Sequence, residues 1–254
     1  FLKKEVSRQV DQIDRQKIER ERVELKNDFL TSISHELRTP MNIITSLVYL
    51  LSQSTLDKNQ RDKINKINKA THLLLNVINN FLDFNYLEKG RLNLERRPFS
   101  LRGEFDELVS LFHDEVKDKG IYMESHYDDN IPDVLWGDPY RLSQILTNLI
   151  SNAVKFSKRG TITLAVFVEE LSKNNCRLNI TVKDQGMGIN EDKLDQLFLP
   201  FTQADETISR QFGGSGLGLA LCHQLVQLMK GKITATSQKG IGSEFTLSIP
   251  FDIA

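Results

Sequence analysis

Over the first 30 residues, Leu2, Val6, Gln9, Ile13, Gln16, Arg20, Val23, Asn27 and Leu30 recur at alternating spacings of four and three. This is a heptad seam, made impure by Gln9, Gln16, Arg20 and Asn27, and a second seam through Ile18, Leu25 and Phe29 marks a change of phase. Charged residues fill the other faces, so a lone helix would be poorly stabilised. A parallel coiled coil is expected in preference to a solvated single helix. A stronger stripe follows through Ile33, Leu37, Ile44, Leu47 and Leu51, stops at the polar "SQSTLDKNQ", and resumes at Ile64, Ile67, Leu74, Val77, Ile78, Phe81 and Leu82. The pattern predicts an antiparallel helical hairpin with one apolar face per helix, which two copies would bury as a four-helix bundle.

Beyond residue 90 the pattern becomes mixed. Residues 1 to 89 hold one proline, Pro40, and no glycine, whereas Gly90 and 13 further glycines follow. "GRLNLERRPF" is short and alternating. "SLRGEFDELVSLFHDEVKDKG" is an amphipathic helix with Ser100 as its N-cap, and "IYMESHY" is a strand. "WGDPYRLSQILTNLISNAVKFSKRG" reads as a long helix capped by Asp138, with Pro139 in its first turn and Gly160 ending it. "TITLAVFVEE" and "CRLNITVKD" read as an antiparallel strand pair, and "KITATSQ" and "SEFTLSIP" close the chain after another helix. The expectation is an all-α hairpin followed by an α+β sandwich, one sheet with helices on one face.

Composition narrows the function classes. At 254 residues the chain has room for one large or two ordinary domains, and 33 Lys+Arg against 34 Asp+Glu gives a net charge of −1. That balance argues against an electrostatic nucleic-acid binder. Two cysteines, Cys176 and Cys222, have no Cys or His at metal-ligand spacing, so neither a disulfide framework nor a zinc site is expected. The chain has no run of 18 apolar residues. Phe1 in place of a starting methionine reads as a segment of a longer, cytoplasm-facing chain, with membrane attachment only through an upstream part.

Three places carry candidate chemistry. In "SISHELRTPMN", His35 lies about 200° round the helix from both Ile33 and Leu37, away from the stripe and toward solvent. Glu36 is adjacent, Arg38 and Thr39 are one turn on, and Pro40 removes a backbone bond and should loosen the helix just after the histidine. Taken alone, this stretch reads first as a surface histidine on a charged helix, ahead of a chemical centre. On the long helix Asn148, Asn152 and Lys155 share one face. Asparagine is a poor helix former, so the face is either simply polar and exposed or able to hold Mg²⁺ and phosphates. Finally, "DQGMGI" puts a carboxylate and two glycines after a strand, and "FGGSGLGLAL" opens a helix whose amides can face phosphate oxygens. Neither is a P-loop or a Rossmann fingerprint.

"SHELRTP", "NLISNAVKF", "DQGMGI", "LFLPF" and "GGSGLGLAL", in this order, resemble the H, N, G1, F and G2 boxes of a sensor histidine kinase. The resemblance covers nearly the whole chain, and the wording "PFTQADETISRQFGGSGLGL" is most similar to hybrid sensor kinases. It implies a signalling coiled coil over 1–27, a dimerisation and histidine phosphotransfer hairpin over 28–92, and a Bergerat-type ATP-binding domain over 93–254. It also implies a homodimer, ATP and Mg²⁺ as ligands, and a response-regulator receiver domain as partner, possibly further along the same full-length chain. The full-length protein would be an inner-membrane sensor.

By the same resemblance His35 is the phosphoacceptor, Glu36 its base and orienting carboxylate, and Thr39 the residue that positions water for dephosphorylating a partner. Asn152 is the Mg²⁺ ligand, Asn148 and Lys155 contact phosphates, and Asp184 recognises the adenine amino group. Gly186, Gly188 and Ile189 shape the adenine pocket. Gly214, Ser215, Gly216, Leu217 and Gly218 close over the phosphates, with Arg210 as a further phosphate contact. Phe198 and Phe201 pack the lid, and Phe156 stands where many relatives carry tyrosine. Two other classes remain open: a non-catalytic pseudokinase, and a conformational-clock ATPase sharing the nucleotide fold.

Overall fold

The structure is a computed structural model and describes residues 36–202 and 216–253, with only the backbone of Lys69. The 1–27 helix, His35, Arg210, Gly214 and Ser215 lie outside the described residues. The chain divides into two compact units, Phe1–Tyr86 and Leu87–Ala254.

In the first unit, helix α1 is described over 36–52 and carries Pro40 within it, so the loosening expected there does not interrupt the helix. At its end the Ser52 and Ser54 hydroxyls donate to the Tyr49 and Leu51 carbonyls, both at 2.6 Å, supplying partners for carbonyls at the helix terminus. Helix α2, Lys58–Glu88, opens on a reciprocal cap. The Gln60 N–H donates to Asp57 Oδ1 at 2.8 Å, and the Asp57 N–H donates to Gln60 Oε1 at 3.0 Å.

The seam between these helices differs from the expected stripe. Met41 packs against Ile78 and Leu82, flanked by Leu75 and Tyr86, and Val48 is also buried. Leu37, Ile44, Leu47 and Leu51, with Ile67 and Leu74 on α2, remain 39 to 55% exposed. The hairpin therefore has two apolar seams: one closes it internally, and the stronger one in the sequence stays open.

The second unit is a seven-stranded sheet in the order β1-β3-β7-β5-β4-β2, with β6 pairing β7. Its strands are β1 (Arg97–Phe99), β2 (Ile121–Tyr127), β3 (Leu135–Gly137), β4 (Gly160–Leu171), β5 (Asn175–Asp184), β6 (Lys232–Gln238) and β7 (Gly242–Ile253). The expected hairpins β4–β5 and β6–β7 are present and antiparallel, whereas β2 pairs β4 in parallel. In "GRLNLERRPF" only Arg97–Phe99 is strand, pairing the equally short β3.

Helix α3 (Leu101–Asp118) starts at Ser100, whose side chain accepts the Gly103 N–H, and buries Leu101, Phe105, Leu108, Phe112 and Val116. Helix α4 (Pro139–Phe156) has Asp138 as N-cap and buries Leu142, Ile145, Leu146, Leu149, Ile150 and Val154. It ends at Ser157, not at Gly160, whose φ of +98° belongs to the opening of β4. A short helix α5 (Glu191–Leu194) precedes the described edge at residue 202, and α6 (Gly218–Leu228) buries Ala220, Leu221, Leu225 and Val226. The inward sheet residues Ile162, Leu164, Val166, Leu178, Ile180, Val182, Leu247 and Ile249 are at most 1% exposed. Burying a side chain of this kind contributes roughly 1.5–3 kcal/mol, so this layer holds α4 and α6 against the sheet.

Candidate nucleotide site

The β5–β7 register brings Asp184, the last residue of β5, opposite Ser243. Asp184 is 7% exposed. Its carboxylate accepts the Gly186 N–H at 2.8 Å and both the backbone N–H and the hydroxyl of Ser243. Burial pushes the carboxyl above the ordinary aspartate value, and these three donors oppose that shift only in part. The result is a buried anion held by donors on the protein side, an acceptor for an N–H group of a ligand.

The loop after it is packed too closely for side chains. A Cβ on Gly186 would lie 2.7 Å from the Phe156 carbonyl oxygen, which also accepts the Met187 N–H at 3.3 Å. Gly188 has φ +64°, and the Ile189 N–H donates to Ser237 Oγ at 2.8 Å. Phe156 thus fastens the carboxylate loop onto the end of α4, one residue after Lys155.

Further along α4, Asn148, Asn152 and Lys155 are half-buried rather than fully exposed. Gly218 opens α6 so close that a Cβ there would lie 3.3 Å from Asn148 Oδ1. Among the described residues no side chain caps the start of α6, and its first-turn N–H groups have no acceptor within the helix. Such N–H groups at a positive helix start suit the charge that phosphate carries. Burial lowers the Lys155 ammonium below the ordinary lysine value, and its Nζ sits 4.9 Å from the centre of the Phe156 ring. Behind Asn148, Cys222 is fully buried and its thiol is pushed up to about 12 by that burial; the Asn148 carboxamide hydrogen-bonds to it.

Among the described residues no group of three His, Cys, Asp or Glu side chains is placed to hold a metal. The donors present are carboxamides, which suit a Mg²⁺ that keeps most of its ligands as water and phosphate oxygen. On both sides of residues 203–215 the described chain is held in place. Phe198 stacks on His223 with centroids 5.5 Å apart, and the Phe201 N–H donates to the Gly216 carbonyl at 3.1 Å, with φ +60° at Phe201 and +69° at Gly216.

Two family models match the chain: the His Kinase A (phospho-acceptor) domain over residues 25–90, and the histidine kinase-, DNA gyrase B- and HSP90-like ATPase over 137–253. The signal transduction histidine-protein kinase BarA of Escherichia coli K12 is 41% identical over 92% of this chain and 25% of its own length. The sensor protein GacS of Pseudomonas syringae is 40% identical over 89% and 25%, and the autoinducer 2 sensor kinase/phosphatase LuxQ of Vibrio parahaemolyticus is 38% identical over 88% and 26%. The chain spans about a quarter of the length of these curated relatives. Among solved structures, full-length ShkA in complex with AMPPNP superposes with a TM-score of 0.72 at 30% identity, over 89% of this chain and 46% of that one.

The chain belongs to the sensor histidine kinases.

In this kinase the residues assigned to adenine, Asp184, Gly186, Gly188 and Ile189, meet at one end of α4, and Asn148 meets Gly218 on the same helix. Glu36 and Thr39 are exposed on α1, and Arg38 between them donates to Asn79 Oδ1 on α2 at 3.0 Å. No described helix is long and apolar enough to cross a membrane. Sequence reasoning passed over Ser243, Ser237 and Asn79, and gave Cys222 no place beside Asn148. Their roles arise from register and helix packing, and the sequence signal was faint: a serine following Gly242, and a cysteine on the inward face of α6.

Proposed function

We propose that this chain is the catalytic core of a hybrid two-component sensor, which transfers the γ-phosphoryl of ATP to His35 and then to an aspartate on a response-regulator receiver domain. The observation that carries the reading is the pairing, on one unit, of a buried, donor-held Asp184 with the Asn148, Asn152 and Lys155 face of α4, where Asn148 abuts the start of α6 at Gly218. Domains fall at 1–27 for the signalling helix, 28–92 for the dimerising phosphotransfer hairpin and 93–254 for the ATP-binding domain. The segment faces the cytoplasm, in a full-length protein held at the inner membrane.

Each residue has a role that its chemistry fits. Asp184 accepts from the adenine amino group, while Gly186, Gly188 and Ile189 let backbone approach the ring. Asn152 would ligate Mg²⁺, which would supply neutralisation of phosphate charge. Asn148, Lys155, Arg210 and the Gly214, Ser215, Gly216, Leu217 and Gly218 segment hold the phosphates. His35 attacks with one imidazole nitrogen, and Glu36 stabilises the protonated other nitrogen. Transfer depends mainly on positioning, so the ATP unit must reach His35 across the connection between the two units. The open seam of Leu37, Ile44, Leu47 and Leu51 fits dimerisation through the hairpin. The coiled coil would set His35 access by rotation, tested by cross-linking it in different phases and measuring autophosphorylation.

Incubation with γ-labelled ATP and Mg²⁺ tests the activity. Acid-labile label that disappears in His35→Gln is the expected result. Phosphate release without label would instead establish a clock ATPase, and neither label nor hydrolysis would establish a pseudokinase. Thr39→Ala is expected to retain self-labelling and lose dephosphorylation of a phosphorylated receiver; equal dephosphorylation rates would remove Thr39 from that role.

A further inference from the structure

Two serines outside every assigned motif complete a hydrogen-bonded path behind the adenine carboxylate. The Ile189 N–H donates to Ser237 Oγ at 2.8 Å. The Ser237 hydroxyl lies 3.0 Å from Ser243 Oγ and 2.8 Å from the Gly242 carbonyl oxygen, either of which can accept its single proton. Ser243 in turn gives its hydroxyl and its backbone N–H to Asp184. The packing leaves little room for another arrangement, since a Cβ on Gly242 would fall 2.0 Å from the Asp184 carbonyl oxygen. Ser237 and Ser243 face each other across the β6–β7 pair and are part-buried and buried, so water competes poorly for these bonds.

We infer that Ser237 is a positioning residue for base selection: through Ser243 it holds Asp184 as a pure acceptor, and through Ile189 it ties that carboxylate to the glycine loop. The inference rests on the ATP reading of the site. With the Ser237 proton on Ser243, every proton in the chain points toward Asp184, from amide to hydroxyl to hydroxyl to carboxylate. The carboxylate's donors are then all on the protein side, and its remaining lone pairs accept from the ligand. Such a group favours a purine with an exocyclic amino group at that edge and disfavours one with a carbonyl there, because two acceptors would face each other. Removing the Ser237 hydroxyl takes the incoming donor from Ser243 and the acceptor from Ile189 together, loosening both the carboxylate and the loop that covers the base.

The test uses the whole chain, with Mg²⁺ and AMPPNP, GMPPNP or tripolyphosphate as probes in calorimetry. Ser237→Ala is expected to weaken AMPPNP by about tenfold, the scale of one or two lost hydrogen bonds. The preference for AMPPNP over GMPPNP should fall by a similar factor, tripolyphosphate binding should stay constant, and Ser237→Thr should recover most of the loss. In autophosphorylation the effect should fall on KM for ATP more than on kcat. Ser243→Ala should show the same loss of base preference, and adding Ser237→Ala to it should cost little more, because the two act in one path. Unchanged AMPPNP binding in Ser237→Ala, an equal loss for all three probes, or failure of threonine to rescue would overturn the inference. A wild-type chain that binds no AMPPNP would overturn the ATP reading instead.

Discussion

Gly188→Ala isolates the close approach that shapes the proposed adenine loop. The residue has φ +64°, and a Cβ there would lie 2.0 Å from the Gln238 carbonyl oxygen and 2.6 Å from its carbon. Both are backbone atoms at the end of β6, so no side chain can swing aside; loop and strand end must separate by about 1 Å before the contact becomes tolerable. That separation breaks the bond from the Gly240 N–H to the Met187 carbonyl at 2.7 Å and strains the Ile189 to Ser237 bond at 2.8 Å. Two hydrogen bonds at about 1 kcal/mol each, with about 1–2 kcal/mol for a left-handed alanine, amount to about 3–4 kcal/mol. If nucleotide binding needs this loop, affinity for Mg·AMPPNP falls by roughly 100- to 1,000-fold. Gly240→Ala is the matched control: φ is +82°, but nothing lies within 4 Å of its Cβ. It carries the backbone cost alone, at a turn that keeps its N–H, and should lose no more than about 30-fold. Isothermal calorimetry on both variants, with scanning calorimetry to confirm folding, gives the comparison. Equal losses for the two, or none for Gly188→Ala, would refute the claim that space rather than φ makes this glycine necessary.

Asp184→Asn should separate stability from function. Because the folded carboxyl is raised, its protonated form favours the fold and ionisation opposes it, so the stability it contributes at low pH is lost as pH rises through the raised value. The asparagine variant is therefore expected to melt above wild type at neutral pH, with the gap closing as pH falls toward the ordinary aspartate range, while AMPPNP binding is largely lost. Asp138→Ala removes the cap on the Arg141 N–H at 3.0 Å and the anchor for the Glu95 N–H at 2.9 Å. A loss of about 2–3 kcal/mol in urea unfolding of the second unit is expected, with earlier proteolysis around residues 91–96. Gly218→Ala adds a methyl 3.3 Å from Asn148 Oδ1 at the start of α6. Helix propensity should leave the melting temperature equal or slightly higher, yet labelling of His35 should fall by about tenfold as Asn148 is displaced, a split that parallel melting and initial-rate measurements would reveal.

Features set by neighbours in sequence were legible in advance. Ser100 and Asp138 cap α3 and α4 as their positions promised, since a cap needs only its own side chain and an amide three residues on. The strands of β4, β5, β6 and β7 followed from alternation, and Asp184 and Gly218 stood at the strand end and helix start expected of them. Two points were decided by contacts distant in sequence. Gly160 read as a helix terminator by type, but a helix of this depth ended where Ser157 turned extended, leaving the glycine to open a strand. The stripe of Leu37, Ile44, Leu47 and Leu51 is the more regular on paper, yet Met41 and Val48 close the hairpin, because a helix with two apolar seams does not say which one its own partner uses.

The amino-acid sequence by itself determined the elements, the order of the five motifs and the residue types proposed for phosphoryl chemistry, because propensity, capping and periodicity act over a few residues. Tertiary structure decided which of those residues meet. Asp184 faces Ser243 because β5 and β7 share one register, Asn148 meets Gly218 because α4 and α6 pack in one layer, and Ser237 joins the carboxylate to Ile189 across a third strand. Such contacts link positions roughly 50 to 70 residues apart, and they depend on strand alignment, where a slip of one residue turns every side chain to the opposite face.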